Sequence, residues 1–387
     1  MIRSQRVAVS VAFLAFGVAV GNLIPRLPAL KDNLDLSNGQ VGFTLVVYSL
    51  GAVVGAAGSR LVLGRGSRLY VRVTTVALAA AVVLPGLATS LWLLAAAFFA
   101  VGVCAGLTDV LANAQGAELE RLAGRPLING FHGFWSLGAV LGSLVASAAA
   151  FLHVAPWLQF AAAGVVIAVA SAPFLRHLPD TTSGAERIAP PGASRMWLTG
   201  VVIAMATITF AAIIVEGGTS DWSAIYLREL SHADAGVAAL GFGAFSVAMM
   251  AVRFRADLLT ARTSPATVMR IGAITSAAGL ALAIAVPALP GALAGFVLTG
   301  MGCAVQLPLA FASGANLGRS GTALAIVMVS AYAGAVVAPA LIGAAADHIG
   351  LRLAMLIPLG FAVVVASLAG SLGSRGEVVV TPLPAGR

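Results

Sequence analysis

The sequence predicts an all-α membrane protein with twelve transmembrane helices arranged as two pseudo-symmetric six-helix bundles. Hydrophobic residues make up 60% of the 387 residues and charged residues only 9%, and the mean hydropathy is +1.00. Soluble domains carry about 25% charged residues, so this composition excludes an ordinary soluble protein. Twelve apolar stretches and a weak internal repeat predict the number of helices and their division into two halves.

Each apolar stretch has about 20 residues, the length that crosses the hydrocarbon core of a bilayer as a helix. The stretches lie near residues 6–30, 38–59, 70–90, 91–117, 129–153, 155–175, 196–219, 234–254, 266–287, 290–315, 320–346 and 351–373. A polar segment with proline and glycine, residues 177–195, separates the sixth stretch from the seventh. We therefore predict an N-terminal bundle at 1–176, a cytoplasmic linker at 177–195 and a C-terminal bundle at 196–387.

The two halves repeat one another at a spacing of about 197 residues. Tyr48-Ser49 corresponds to Phe245-Ser246, and Gly138 corresponds to Gly334. Each match is short, but the spacing is consistent along the chain. Such a parallel repeat is typical of transporters that bind their solute between the halves, near the middle of the membrane.

The basic residues predict the orientation. If the N-terminus is cytoplasmic, all but four of the 22 lysines and arginines fall on the cytoplasmic side; the exceptions are Arg26, Lys31, Arg228 and Arg352. Because positively charged loops stay in the cytoplasm, both termini are predicted there. The net charge of +8 then reflects loops that lie against anionic lipid rather than nucleic-acid binding. Lysine is nearly absent, which suggests a GC-rich bacterial genome, and we therefore expect the protein in a bacterial cytoplasmic membrane.

Few residues suggest a cofactor or a catalytic centre. Cys104 and Cys303 lie in apolar stretches, where they are typical of small buried residues rather than of a disulfide or a metal site. The sequence has no P-loop, HExxH or CxxC pattern. We therefore expect no cofactor, no metal and no enzymatic activity. The expected partners are the lipid bilayer, protons and a small solute, bound by a monomer.

Asp109 is the first candidate functional residue. It lies in the fourth apolar stretch, four residues before Asn113, so the two side chains share one helix face. A carboxylate at membrane depth costs roughly 2.5–3.5 kcal/mol on insertion scales. It therefore requires a water-filled cavity or a partner. Asp109 is predicted to accept a coupling proton, and the alternative is a structural carboxylate bonded to a neighbouring helix.

Other polar and aromatic side chains in the apolar stretches could bind a solute. Amides can both donate and accept hydrogen bonds, and they lie at Asn22, Asn113, Gln115 and Gln306. Amides can equally join one helix to another. Trp135 can stack on a solute ring, or it can simply pack against a neighbouring helix.

Five charged residues are candidates for gates at the two ends of the pathway. Arg26 lies near the outer end of helix 1, where it either extends to the interface or pairs with Glu216 or Asp221. Arg253 and Asp257 lie four residues apart, so they can pair at the end of helix 8.

Two adjacent glycines, Gly217 and Gly218, follow Glu216 in helix 7. They predict an unwound helix at that point, lining a cavity.

Over its whole length the chain resembles a transporter of the major facilitator superfamily. The loop between helices 2 and 3 has the family's basic residues around a glycine at Arg65-Gly66-Ser67-Arg68, without the family's Asp. Residues 108–113 and 134–139 resemble helices 4 and 5 of fucose-permease-like sugar/proton symporters, although the acidic residue of their helix 1 has no counterpart here. Residues 216–223 resemble a less-characterised branch of bacterial facilitators.

The resemblance implies a secondary active transporter that moves a small organic solute by alternating access, coupled to protons. Helix 5 lacks the Gly-Pro pair of drug/proton antiporters, having no proline before Pro156, which favours uptake by symport. The alternatives are a proton-driven efflux antiporter of drug-like compounds or secreted metabolites and, more remotely, a membrane-embedded enzyme or sensor.

Overall fold

The computed structural model describes residues 2–62, 67–124, 127–179, 200–255, 263–316 and 322–372. Its helices form twelve successive units, which we number α1 to α12. The first half contains α1 (Ile2–Asn33), α2 (Asn38–Gly58), α3 (Ser67–Ala81, followed by Leu84–Leu87), α4 (Leu91–Ala123), α5 (Ile128–Phe151) and α6 (Pro156–Leu175). The second half contains α7 (Gly200–Leu230), α8 (Ala235–Arg253), α9 (Pro265–Ala285), α10 (Leu289–Cys303, followed by Gln306–Asn316), α11 (Thr322–Ala354) and α12 (Leu356–Leu372).

The predicted count of twelve helices is confirmed. Eleven helical units are long and apolar enough to cross a membrane, and α12 is shorter. Gly350 breaks α11 with a φ of 79°, a backbone conformation that favours glycine. Residues 351–354 therefore lead into α12 and lengthen it. The predicted linker lies largely outside the described residues.

Local sequence signals explain where several helices begin and end. Ser37 caps α2, and its side chain and that of Gln40 form a reciprocal capping box. The Ser90 side chain accepts a hydrogen bond from the backbone of Leu93 at the start of α4. Gly124, with a φ of 62°, ends the same helix. Polar caps thus satisfy the helix ends at the membrane boundaries, where lipid offers no hydrogen bonds.

The helices pack in the same pattern in both halves. In the first half α1 packs on α5, α2 on α4 and α3 on α6, and in the second half α7 packs on α11, α8 on α10 and α9 on α12. The halves meet where α2 contacts α11 and α5 contacts α8. These two contacts are equivalent under the repeat, since α8 corresponds to α2 and α11 to α5. The predicted two-bundle architecture is therefore confirmed.

Glycine allows the closest helix crossing in the first half. A Cβ atom at Gly17 would collide with the backbone of Trp135, and one at Gly138 with the backbone of Leu14. Helices in lipid gain little from hydrophobic burial, so they associate through close packing of small residues. Lipid-facing surfaces are instead covered by apolar side chains, such as Val165, Val166 and Val169 of α6, each more than half exposed.

The prediction of an unwound helix 7 was wrong, because α7 is one continuous helix through both glycines. Gly218 packs against Ile342 and Pro358, so its missing side chain serves close packing rather than a bend. Irregular backbone occurs instead at Ala304 and Val305 within α10. Both residues are buried, as expected for backbone that cannot face lipid.

Candidate functional site

A cavity of about 140 Å³ lies between the two halves. Helices α1, α2 and α5 supply its first-half wall, and α7 and α8 supply its second-half wall. The lining residues are Val20, Ile24, Tyr48, Trp135, Ser136, Glu216, Ser220, Asp221, Phe242, Phe245, Ser246 and Met249. The site is thus composed of aromatic rings, three serine hydroxyls and two carboxylates.

A polar cluster joins the halves at the predicted outer end of the bundle. The Lys31 ammonium at the end of α1 pairs with Glu229 at the end of α7. Lys31 also donates to Asn38 Oδ1 at 2.9 Å, and Asn38 donates to the second carboxylate oxygen of Glu229 at 3.4 Å. Beside them Ser37 Oγ donates to Asp347 Oδ2 at 2.8 Å. These contacts close the cavity on that side.

A second contact between the halves lies toward the opposite end. Arg253, the last residue of α8, donates from Nη1 to Ser136 Oγ on α5 at 3.3 Å. Its Nη2 lies 3.6 Å from Glu216 Oε1 on α7. Next to it, the ring of Phe254 packs directly over Gly133 of α5. The cavity is therefore enclosed between two sets of contacts that each bridge both halves.

The three membrane-embedded carboxylates have different surroundings. Glu216 faces Arg253, whereas Asp221 accepts a hydrogen bond from Ser220 Oγ at 3.2 Å. Asp109 lies outside the cavity wall, on α4, which packs on α2.

A sequence profile described as the Major Facilitator Superfamily matches residues 9–315. The chain belongs to the Major Facilitator Superfamily. It is 34% identical over 369 residues to an uncharacterized transporter of Sinorhizobium fredii, covering 93% of this chain and 96% of the relative. It is thus a multi-pass membrane transporter of a small solute and not an enzyme.

Two solved structures illustrate the fold. A crystal structure of a variant of the nucleoside transporter NupG superimposes with a TM-score of 0.77 at 12% identity, covering 95% of this chain and 99% of that one. A crystal structure of the transporter FucP in the outward conformation gives 0.62 at 18% identity, covering 95% and 98%. At these identities the likeness concerns the fold alone.

The prediction that Asp109 and Asn113 share one helix face is confirmed in the transporter. Asn113 Nδ2 donates to Asp109 Oδ1 at 3.0 Å and to the Asp109 carbonyl at 2.9 Å. The shared helix face places an amide against the carboxylate, as the spacing of four residues requires. Trp135 lies in the cavity wall, with its ring edge-on to Phe16 at 6.1 Å.

Four of the five predicted solute ligands, Asn113 among them, are absent from the cavity wall. Asn22 is fully buried and accepts a hydrogen bond from Gln159 Nε2 of α6 at 2.8 Å. Gln306 Nε2 donates to Ser276 Oγ of α9 at 3.0 Å. Gln115 is fully buried in α4 and is absent from the cavity wall. In this conformation Asn22 joins two helices of the first half, and Gln306 joins two helices of the second half.

The ion pair predicted between Arg26 and Glu216 or Asp221 does not form in this structure. Arg26 Nη2 instead donates to the Val154 carbonyl of the α5–α6 loop at 2.8 Å. The Arg26 side chain is directed to the α5–α6 loop, whereas the carboxylate of Glu216 faces Arg253.

The predicted partner of Arg253, Asp257, lies outside the described residues.

Sequence reasoning missed the outer ion pair and most of the aromatic wall. Lys31 follows the first predicted helix and Glu229 lies in the connection predicted between helices 7 and 8, so both were expected on the outer side, which was the available signal for their pairing. The internal repeat was a signal for the wall, because its matched residues Tyr48 and Phe245 both line the cavity. Phe242 carried no comparable signal.

Proposed function

We propose that the protein is a proton-coupled secondary transporter that carries a small organic solute across a bacterial cytoplasmic membrane by alternating access. Transport of a small solute follows from its membership of the Major Facilitator Superfamily. Proton coupling and uptake by symport are the parts that this proposal adds. It also places both termini in the cytoplasm, on the basis of the arginine distribution, and takes the monomer as the transporting unit.

The observation that carries the proposal is the set of carboxylates around a cavity between the two halves. Glu216 and Asp221 line the cavity, and Asp109 lies on α4, which packs on the lining helix α2. Ionisable residues inside membrane spans are rare and costly, and they mark ion and proton pathways. Because the sequence has no P-loop, a proton gradient is the proposed energy source.

Asp109 is the proposed proton carrier. Asn113 supports its carboxylate at 3.0 Å, and no ion pair with Asp109 forms among the described residues. Asp109 lies on α4, which packs on α2, the helix that supplies Tyr48 to the cavity wall. In this proposal, protonation of Asp109 removes a negative charge close to the wall and so changes the electrostatic potential at the solute site. By linkage, the bound solute changes the affinity of Asp109 for the proton by the same factor.

The two contacts between the halves are the proposed gates. Lys31, Glu229 and Asn38 close one end, and Arg253 with Ser136 closes the other. Alternating access requires the halves to rock about the solute site so that one gate opens while the other stays closed. Arg253 also contacts Glu216 in the cavity wall, which connects the inner gate to the solute site.

The coupling residue is tested with purified protein in proteoliposomes. Accumulation of labelled solutes is measured with and without an inward pH gradient, and counterflow exchange is measured without one. Asp109→Asn should abolish gradient-driven accumulation and leave counterflow intact, because an amide cannot carry a proton. Asp32→Asn removes an exposed carboxylate near the end of α1 and serves as the matched control.

The same assay decides the direction of transport. Solute uptake driven by inward proton flow supports symport, whereas accumulation driven by the opposite gradient would establish efflux antiport. If Asp109→Asn still accumulates solute with a wild-type response to pH, the coupling group is not Asp109. Glu216 and Asp221 would then be the next candidates.

A further inference from the structure

The cavity wall carries an excess of negative charge. Its described lining residues include two carboxylates, Glu216 and Asp221, and no basic side chain. Arg253 approaches from behind the wall but reaches only one oxygen of Glu216, at 3.6 Å. The other oxygen, Oε2, is buried and has no hydrogen-bond partner among the described residues. The charge of Glu216 is therefore only partly compensated by the described residues.

Asp221 lacks a cationic partner within the described part of the chain. Its one described side-chain hydrogen bond comes from the neighbouring hydroxyl of Ser220, at 3.2 Å. The first half supplies no charged side chain to the wall. An anionic occupant would therefore meet repulsion from the two carboxylates of the second half, whereas a cation would be attracted by them.

The rest of the wall also suits a cation. Four aromatic residues, Tyr48, Trp135, Phe242 and Phe245, line the cavity from both halves. Aromatic faces attract ammonium groups, and aromatic walls are the recurring means of binding quaternary ammonium ligands. A carboxylate together with aromatic rings binds such groups without the strong hydrogen bonds that a sugar or polyol needs.

The volume of the cavity and the hydrogen-bonding groups in its wall further restrict which solutes it can bind. An engineered cavity of about 150 Å³ holds one benzene molecule, so the 140 Å³ cavity here suits a solute of similar size. The amides that would bind a polyol are engaged elsewhere, since Asn22 bonds Gln159 and Gln306 bonds Ser276. A metal ion is not favoured either, because the described residues contain no group of three metal-ligating side chains.

We propose that the cavity binds a small monovalent organic cation, an amine or quaternary ammonium compound, with Asp221 as its counter-ion. Glu216 provides a second negative charge in the wall, and the aromatic residues surround the apolar part of the solute. This proposal names the solute class of the transporter and rests on the proposed function for its physiological meaning. The binding itself requires neither a membrane nor a gradient, so it can be tested separately.

The experiment compares choline with 3,3-dimethyl-1-butanol, which has the same shape without the charge. Binding to the purified full-length protein in detergent is measured by titration calorimetry, with tetramethylammonium and n-propylamine as further cations. At least one cation should bind saturably, and choline should bind about tenfold or more tightly than its neutral analogue. Asp221→Asn should reduce choline affinity about tenfold and leave the neutral compound unaffected.

Three variants separate charge from structure. Asp221→Glu keeps the charge and should retain the preference for choline, and Asp32→Asn should bind as the wild type does. Thermal unfolding tests whether Asp221→Asn is folded. If it is not folded, the proposal is tested by the preference for choline over the neutral compound in the wild type and in Asp221→Glu. Equal affinity for the charged and neutral compounds overturns the proposal. So does wild-type choline affinity in folded Asp221→Asn, or the absence of binding by all three cations at millimolar concentration.

The outcome is distinguishable from that of the proposed function. Cation binding without transport driven by a pH gradient would retain the solute class and reject proton coupling. Proton-coupled accumulation of a neutral or anionic solute, with no cation binding, would retain the transporter mechanism and reject the cation.

Discussion

Replacing Glu229 by Gln should open the predicted outer end of the transporter. In the structure Glu229 holds the two halves together, because it pairs with Lys31 and accepts a hydrogen bond from Asn38 at 3.4 Å. The substitution removes the charge and leaves the Lys31 ammonium with Asn38 Oδ1 as its remaining described acceptor. The closed outer gate loses stability, whereas the opened state, in which both side chains meet water, is unaffected.

The size of the effect follows from the exposure of the pair. The side chains of Lys31 and Glu229 are 17% and 30% exposed, which makes the pair partly screened rather than buried. Exposed ion pairs contribute about 0.2–1 kcal/mol, and an added hydrogen bond contributes about 0.5–1.5 kcal/mol. We therefore expect a loss of about 1–2 kcal/mol, which changes the ratio of outward-open to closed molecules by a factor of roughly 5–30.

Thiol labelling measures this ratio. Cys104 and Cys303 are replaced by Ala, and a single cysteine is introduced at Ile24, which is 6% exposed and lines the cavity. A membrane-impermeant maleimide added from outside reacts in proportion to the outward-open population. Glu229→Gln should raise the labelling rate roughly 5–30-fold, and the exposed control Asp32→Asn should leave it unchanged.

The charge-swapped double variant Lys31→Glu with Glu229→Lys tests whether the ion pair itself holds the outer gate closed. It restores an ion pair of opposite polarity and should bring the labelling rate back toward the wild-type value. The reasoning is refuted if Glu229→Gln labels at the wild-type rate, since the ion pair would then contribute nothing to closure. It is also refuted if the swapped variant labels as fast as Glu229→Gln.

Three further predictions concern packing, the proton site and topology. Gly138→Leu should destabilise the protein by about 1–3 kcal/mol, because any side chain there collides with the backbone of α1, whereas Gly58→Ala, with nothing within 4 Å, should not; equal thermal unfolding of the two variants would contradict this. Asn113→Ala removes the 3.0 Å bond to the carboxylate of Asp109 and should lower gradient-driven accumulation about 2–10-fold while sparing equilibrium solute binding, because Asn113 is absent from the cavity wall; unchanged accumulation in proteoliposomes would count against it. Tags at both termini and within residues 177–195 should be accessible only from the cytoplasm, and a tag detected from the periplasm would reject the orientation inferred from the arginines.

The hydropathy of the chain was sufficient to predict its helices and their two-bundle organisation. Backbone polar groups in lipid must bond within their own segment, so an apolar stretch of crossing length has essentially one available structure, the helix. The repeat of Tyr48 as Phe245 further predicted equivalent positions in the two halves, and both residues line the cavity. The spacing of Asp109 and Asn113 predicted that they share one helix face, because side chains four residues apart on a helix are neighbours.

Only the tertiary structure decided which polar side chains face the cavity. Asn22 and Gln306 are polar enough to bind a solute, yet each bonds a helix of its own half, and Arg26 bonds a loop carbonyl instead of an acidic residue. In soluble proteins, a helix has an apolar face opposite a polar one, and this contrast in the sequence predicts which side of the helix faces the protein interior. In a membrane both the lipid and the protein interior are apolar, so that contrast nearly disappears from the sequence. The partners of these side chains therefore depended on how distant helices pack together, which the local pattern does not encode.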